Sequence, residues 1–135
     1  MMNVNGRRLQ CCAAVVAFVL LTAYGRGTPI VNIQSAAIPP NPAAAMENIG
    51  KAIIRAGQTL GWQITPMAPG KAEGVLVLRR HRAVVEITYD TSAFSINYKD
   101  SLNLDYDGQD NTIHSNYNGW IRNLEKAIRA QVSVL

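Results

Sequence analysis

Cysteine is nearly missing from this chain. Cys11 and Cys12 are the only two in 135 residues. A domain downstream of them holds together without a disulfide and has no thiolate to offer a metal. Histidine is equally scarce. His81 and His114 stand far apart, neither has an identifiable nucleophile partner, and zinc binding has little footing. There is no Gly-x-Ser-x-Gly elbow and no glycine-rich phosphate loop. Glu47, Glu73, Glu86 and Glu125 show no pairing of the glycosidase kind. These absences point away from a hydrolase, and no cofactor is expected. Charge is sparse too, at 16% of residues. With Arg7 and Arg8 set aside, eleven basic residues face nine acidic ones, an excess too small to argue for nucleic acid.

No apolar run is long enough for a comfortable membrane span, which takes about 20 residues. The longest, Cys11 to Ala23, follows Arg7 and Arg8 and precedes Gly25-Arg26-Gly27. That is the make-up of a secretory signal peptide over 1–25. Ala23 and Gly25 supply the small residues that signal peptidase needs before a cut at Arg26. Leu21-Thr22-Ala23 matches the first three positions of a bacterial lipobox, but Tyr24 stands where the acylated cysteine belongs. A phenol cannot take the lipid. The expected compartment is the periplasm or outer envelope. Membrane association is then expected only through an uncleaved signal or a partner.

What is present is 48% hydrophobic and long enough for one domain. Residues 26–42 carry four prolines and read as a semi-rigid Pro-rich spacer. Ile30 to Ile33 within it could also pair as a short edge strand. A single domain is expected over 43–135. Asn41 and Pro42 suit the start of a helix running to Leu60, with Met46, Ile49, Ile53, Ala56 and Leu60 as its stripe. Gly61 suits its end. Strand patterns follow around Trp62 and Ile64, over Gly74–Arg80, over Ala83–Tyr89, and at Phe94, Ile96 and Tyr98. Their short links predict antiparallel hairpins. A second helix is expected from about Asn116 to Val132, capped by Ser115 or Asn116, with Tyr117, Trp120, Ile121, Leu124, Ile128 and Val132 inward. The order α-β-β-β-β-α predicts an α+β two-layer sandwich: about four antiparallel strands with both helices on one face. Trp62, Phe94, Tyr98 and Trp120 are the expected large core fillers.

Three stretches bear on function. "RRHR" places Arg79, Arg80 and Arg82 at a hairpin tip, suited to anionic headgroups, phosphates or an acidic protein face. The same charges also serve simply to solvate a loop and blunt a sheet edge. "LDYDGQDNTIH" gathers Asp105, Asp107, Asp110 and His114, yet fails the EF-hand spacing and suits turn formation. No metal site is expected there. Third, His114, Asn116, Tyr117, Asn118 and Trp120 mix polar and aromatic groups. They either pin the loop to the sheet or line a shallow groove for a glycan or protein strand.

The segment from Tyr98 to Leu124 also resembles a family of small bacterial envelope lipoproteins. The matching residues are Tyr98, Ser101, Asn103, Leu104, His114, Asn116, Tyr117, Asn118, Trp120, Ile121, Asn123 and Leu124. The resemblance covers about Ala43 to Arg129 and implies a compartment and a fold, not a reaction. The reading is a non-enzymatic envelope module, binding or structural, with an envelope protein or glycan as partner. The alternative is an accessory subunit of a secretion or assembly complex.

Overall fold

Alternating strands and two amphipathic helices build the computed structural model, which describes residues 27–135. The signal-peptide and lipobox readings, with Cys11 and Cys12, lie outside those residues. In chain order the elements are β1 (Thr28–Pro29), β2 (Ile33–Ala37), α1 (Met46–Thr59), β3 (Gln63–Ala68), β4 (Lys71–Leu78), β5 (His81–Tyr89), β6 (Ala93–Leu102), β7 (Thr112–Ile113) and α2 (Ser115–Val132). The links between β3, β4, β5 and β6 are too short for a crossover, so these strands form an antiparallel meander. Gly70, at φ 74°, turns the first hairpin in the left-handed region that glycine enters without steric cost. The Asp90 carboxylate closes the last by accepting from Ser92 N–H and Oγ–H and from Ala93 N–H, at 2.7, 2.8 and 2.8 Å. The backbone bond from Ser92 is the main reason this carboxyl sits below its ordinary pKa. Because the folded value is lowered, this contribution is present at neutral pH and is lost as pH falls through it.

One face of the meander is apolar. Ala72, Gly74 and Leu76 of β4, Ala83, Val85 and Ile87 of β5, and Phe94 and Ile96 of β6 are all buried. They share one core with Ile49, Ile53 and Ala56 of α1 and with Tyr117, Ile121, Leu124 and Ile128 of α2. Both helices therefore cover the same face, and each large aliphatic side chain removed from water contributes about 1.5–3 kcal/mol. The opposite face mixes charged side chains with Val75, Val77, Val84 and Leu102. Lys71–Glu86, Glu73–Lys99 and Arg82–Asp100 pair across it, exposed and individually worth little. Trp62 and Phe94 fill the core as expected, while Tyr98 and Trp120 are only partly buried. Tyr117 is the largest fully buried side chain.

The α+β class agrees with the sequence reading, as do both helices and the four strands between them, but β1 and β2 precede the first helix and β7 precedes the second. The main sheet, however, has five strands, in the order β2-β6-β5-β4-β3. The fifth comes from the segment read as a spacer. Ile33 pairs with Ile96, Ala36 with Phe94 and Ala37 with Ala93, while Ala36 and Ile38 enter the core. The prolines of this segment do not prevent pairing. Pro39 and Pro40 follow the strand, and Pro29 lies in β1, which pairs with β7. Residues 28–38 thus belong to the domain, as extended edge chain that a proline-rich stretch adopts readily.

Helix starts also differ from expectation. Asn41 and Pro42 do not begin α1. The Asn41 side chain accepts from Ala43 N–H and its carbonyl from Ala44 N–H, closing a separate turn. Ala45 then precedes the helix with no side-chain cap. The end of α1 follows the expected chemistry. Gly61 at φ 82° lets its own N–H reach the Gln58 carbonyl and Trp62 N–H reach Gly57, which satisfies two carbonyls the helix leaves open. The cap of α2 is His114, not Ser115 or Asn116.

Candidate functional site

The β4–β5 link is tighter than "RHR" implied. Only Arg79 and Arg80 turn the chain, and His81 already pairs with Leu78. Arg79 has φ 56°, which costs a non-glycine residue about 1 kcal/mol. Strain of this kind persists where surrounding contacts hold it. Here Asn103 does the holding. Its Nδ2 donates to the Arg80 carbonyl at 2.7 Å, and its own carbonyl accepts from His81 Nδ1, also at 2.7 Å. Asn103 is itself left-handed, at φ 57°. The next residue, Leu104, is buried, and its carbonyl takes the His114 N–H at 2.8 Å.

These bonds bring the hairpin tip to the start of α2. The His81 and His114 rings lie 6.4 Å apart at 30°, and the Trp120 ring lies 6.3 Å from His81. Two separate sequence candidates, the arginine tip and the His114–Trp120 segment, thus become one corner. At the hairpin tip itself is a shallow cavity of about 310 Å³ lined by Arg79, Arg80, His81 and Asn103, with His114 and Trp120 reaching it only through His81. Neither Arg79 nor Arg80 forms an ion pair among the described residues.

The partners of the imidazoles dictate their proton positions. His81 Nδ1 faces a carbonyl and must carry the proton, so its Nε2 is an acceptor when the ring is neutral. His114 Nδ1 accepts from Asn116 N–H at 3.2 Å, so its neutral ring carries the proton on Nε2. The pair offers one acceptor and one donor nitrogen. Adjacent guanidiniums suit phosphate or carboxylate, and an indole face suits the apolar side of a sugar ring.

Other sequence candidates fall elsewhere. Arg82 points to the open sheet face, where it pairs with Asp100 at 3.6 Å. Asn116 is exposed on the first turn of α2. Tyr117 and Asn118, read as binding candidates, are both buried and so cannot meet a ligand. Asn118 instead holds the N-terminal segment. Its Oδ1 accepts from Val31 N–H at 2.9 Å, and its Nδ2 donates to the Pro29 carbonyl at 2.8 Å and to Thr28 Oγ1 at 3.1 Å. Pointing inward is what the helical period imposes on positions 117 and 118, next to Ile121. Asp107 accepts from Gln109 and Asp110 N–H groups, closing a turn. Among the described residues, no three His, Cys, Asp or Glu side chains gather closely enough to hold a metal ion.

His81 and Asn103 were not singled out as site residues from sequence. The signal for Asn103 was its type, since asparagine tolerates the left-handed region. Its place beside residue 80 follows from carrying the β5–β6 hairpin register past Arg82 and Leu102.

No family model, curated protein or solved structure matches this chain. The functional argument therefore rests on the corner itself. A larger concavity of about 620 Å³ lies at the opposite end of β5, between α1 and the β3–β4 turn. Met46, Ile54, Pro66, Met67 and Tyr89 dominate it, and its charged pair Glu47–Lys51 is exposed. An apolar lining with a few polar groups is the usual make-up of a small-ligand site, whereas the corner gathers two arginines without ion pairs among the described residues and so suits an anionic partner.

Tyr117 also carries a physical anomaly. Its ring meets Tyr98 edge-on at 5.7 Å, and Tyr98 stacks on Tyr106 at 4.4 Å. Its hydroxyl is buried with no hydrogen-bond partner. Burial pushes the phenol pKa well above its ordinary value. A buried, unpaired hydroxyl costs about 1–3 kcal/mol of desolvation. Tyr117→Phe is therefore expected to stabilise the domain by about 1 kcal/mol. Urea denaturation checks this, and a destabilised variant would show that the hydroxyl has a bonding partner in solution.

Proposed function

We propose that this protein is a non-catalytic module of the cell envelope, exported across the inner membrane and related to small envelope lipoproteins. It binds an anionic, hydroxyl-bearing component of the envelope, such as an acidic glycan. One observation carries the reading: Arg79 and Arg80, without acidic partners among the described residues, line a cavity with His81, whose ring lies 6.4 Å from His114 and 6.3 Å from Trp120. The arginines neutralise the acid group, the His81–His114 pair takes a hydroxyl, and Trp120 receives a ring face.

The accessory-subunit alternative calls for an open sheet edge or an exposed apolar patch. Both edges of this sheet are poor templates for another strand. Pro66 lacks an N–H in β3, and pairing registers shift between Pro66 and Ala68 and between Ile33 and Ala36. The corner is the stronger feature.

The test is calorimetric binding to a soluble acidic polysaccharide and to a neutral one. His114→Asn is the informative variant, because asparagine keeps the helix cap while removing the imidazole. Roughly tenfold weaker binding to the acidic glycan is expected, with unchanged melting. Equal affinity of wild type and variant, or no preference for the acidic polymer, would remove the proposal. Mass spectrometry of the envelope fraction tests export, the expected N-terminus being Arg26 without acyl mass.

A further inference from the structure

We infer that the β4–β5 tip docks on a lipid surface carrying anionic headgroups, an inference that rests on the corner being the binding site. Val77 and Leu78 end β4, and Leu102 ends β6. They are 64%, 47% and 57% exposed. Single exposed aliphatics are ordinary. These three are not single, because they surround the arginines. Val77 faces Arg82 across one strand pair, and Arg82 faces Leu102 across the next. That gives an apolar–basic–apolar row on one face of the sheet end. Arg79 and Arg80 continue directly from Leu78, and the Trp120 ring lies 6.3 Å from that of His81, the next residue. Of the three arginines only Arg82 is paired among the described residues, to Asp100 at 3.6 Å.

Aliphatic side chains interleaved with arginines and backed by an indole suit the boundary between headgroups and acyl chains. There the guanidiniums meet phosphate and the aliphatic tips leave water. A soluble acidic glycan would satisfy the arginines but give no reason for three exposed aliphatics.

The experiment is co-sedimentation of the protein, as purified from the expression host, with phosphatidylcholine vesicles with and without phosphatidylglycerol. Variants are compared in the same background, so any contribution of residues 1–26 is common to all. Wild type is expected to partition roughly tenfold more strongly to the anionic vesicles and to lose that preference in high salt. Val77→Ser with Leu102→Ser should cut vesicle binding roughly tenfold while leaving acidic-polysaccharide binding intact. Arg79→Asn with Arg80→Gln should abolish the anionic preference, asparagine being chosen because it accepts the left-handed backbone. Circular dichroism and melting confirm that each variant folds. Vesicle binding unaffected by the serine pair, or a preference that survives loss of both arginines, overturns the inference even where glycan binding holds. Anionic-vesicle binding that depends on both sets of residues supports it, and does so even where no soluble glycan binds and the glycan proposal alone falls.

Discussion

Asn118→Ala is expected to destabilise the domain by about 3 kcal/mol and to free residues 27–38 from it. The side chain is 6% exposed and makes three hydrogen bonds to Thr28, Pro29 and Val31. Alanine leaves the Val31 N–H and the Pro29 carbonyl without these partners, and each unsatisfied group costs about 1–3 kcal/mol if it stays out of water. The chain has a cheaper route, which is to let the segment leave. Detachment would take β2 from the edge of the sheet and expose Ala36 and Ile38. Urea denaturation reports the loss of stability. Limited proteolysis reports its form, with cleavage between 27 and 38 in the variant and protection in wild type. Asn118→Asp sharpens the test, because it still accepts from Val31 but turns a carboxylate oxygen toward the Pro29 carbonyl. It should be destabilised as well. Wild-type stability and protection in both variants would mean that the N-terminal segment is held by its strand pairing alone.

Gly57→Val is expected to cost about 3 kcal/mol or to prevent folding. A Cβ at residue 57 would stand 2.4 Å from Ile64 Cγ1, 2.9 Å from its Cδ1 and 3.3 Å from Trp62 Cβ. Ile64 has no room to retreat. A side chain on Gly74 would already meet its Cδ1 at 3.0 Å and Val85 Cγ2 at 3.0 Å. Two glycines on opposite sides thus create the slot in which Trp62 and Ile64 join α1 to the sheet. Valine adds a branched side chain to a site without space, and overpacking of this kind is felt across a dense core. Gly119→Ala provides the control. It is also a helical glycine, but nothing lies within 4 Å of its added Cβ. There alanine should stabilise by about 0.5–1 kcal/mol through helix propensity alone. The two substitutions change the same residue type within helices and are expected to move the melting temperature in opposite directions. A tolerated Gly57→Val would show that α1 can shift on the sheet.

Most elements were legible because each has a local cause. The stripe of α2 repeats at helical spacing, β5 and β6 alternate, and Gly61 stops α1 by its own backbone freedom. The failures have a common origin. β2 carries little apolar alternation of its own, since Gln34 and Ser35 interrupt it, and it is a strand because β6 offers a free edge. Proline signalled what the segment could not be, a helix, and said nothing about what it would pair with. Asn41 and Pro42 have the chemistry to start α1, but the Asn41 side chain bonds Ala43 N–H and the C-terminal Leu135 carbonyl, and the helix begins later. Tyr117 and Asn118 looked like groove residues by type, and their positions on α2 took them inside.

Sequence by itself determined the α+β class, both helices, the four meander strands and their apolar faces, because periodicity and turn chemistry act over a few residues. It also marked Arg79, Arg80, His114 and Trp120 as unusual. Only the tertiary structure decided that these residues share a corner. Their meeting depends on Asn103 tying the hairpin tip to the approach to α2, through bonds of 2.7 Å that link positions far apart in the chain. Long-range contacts of that kind leave no local trace, since neither partner changes its own helix or strand preference to make them.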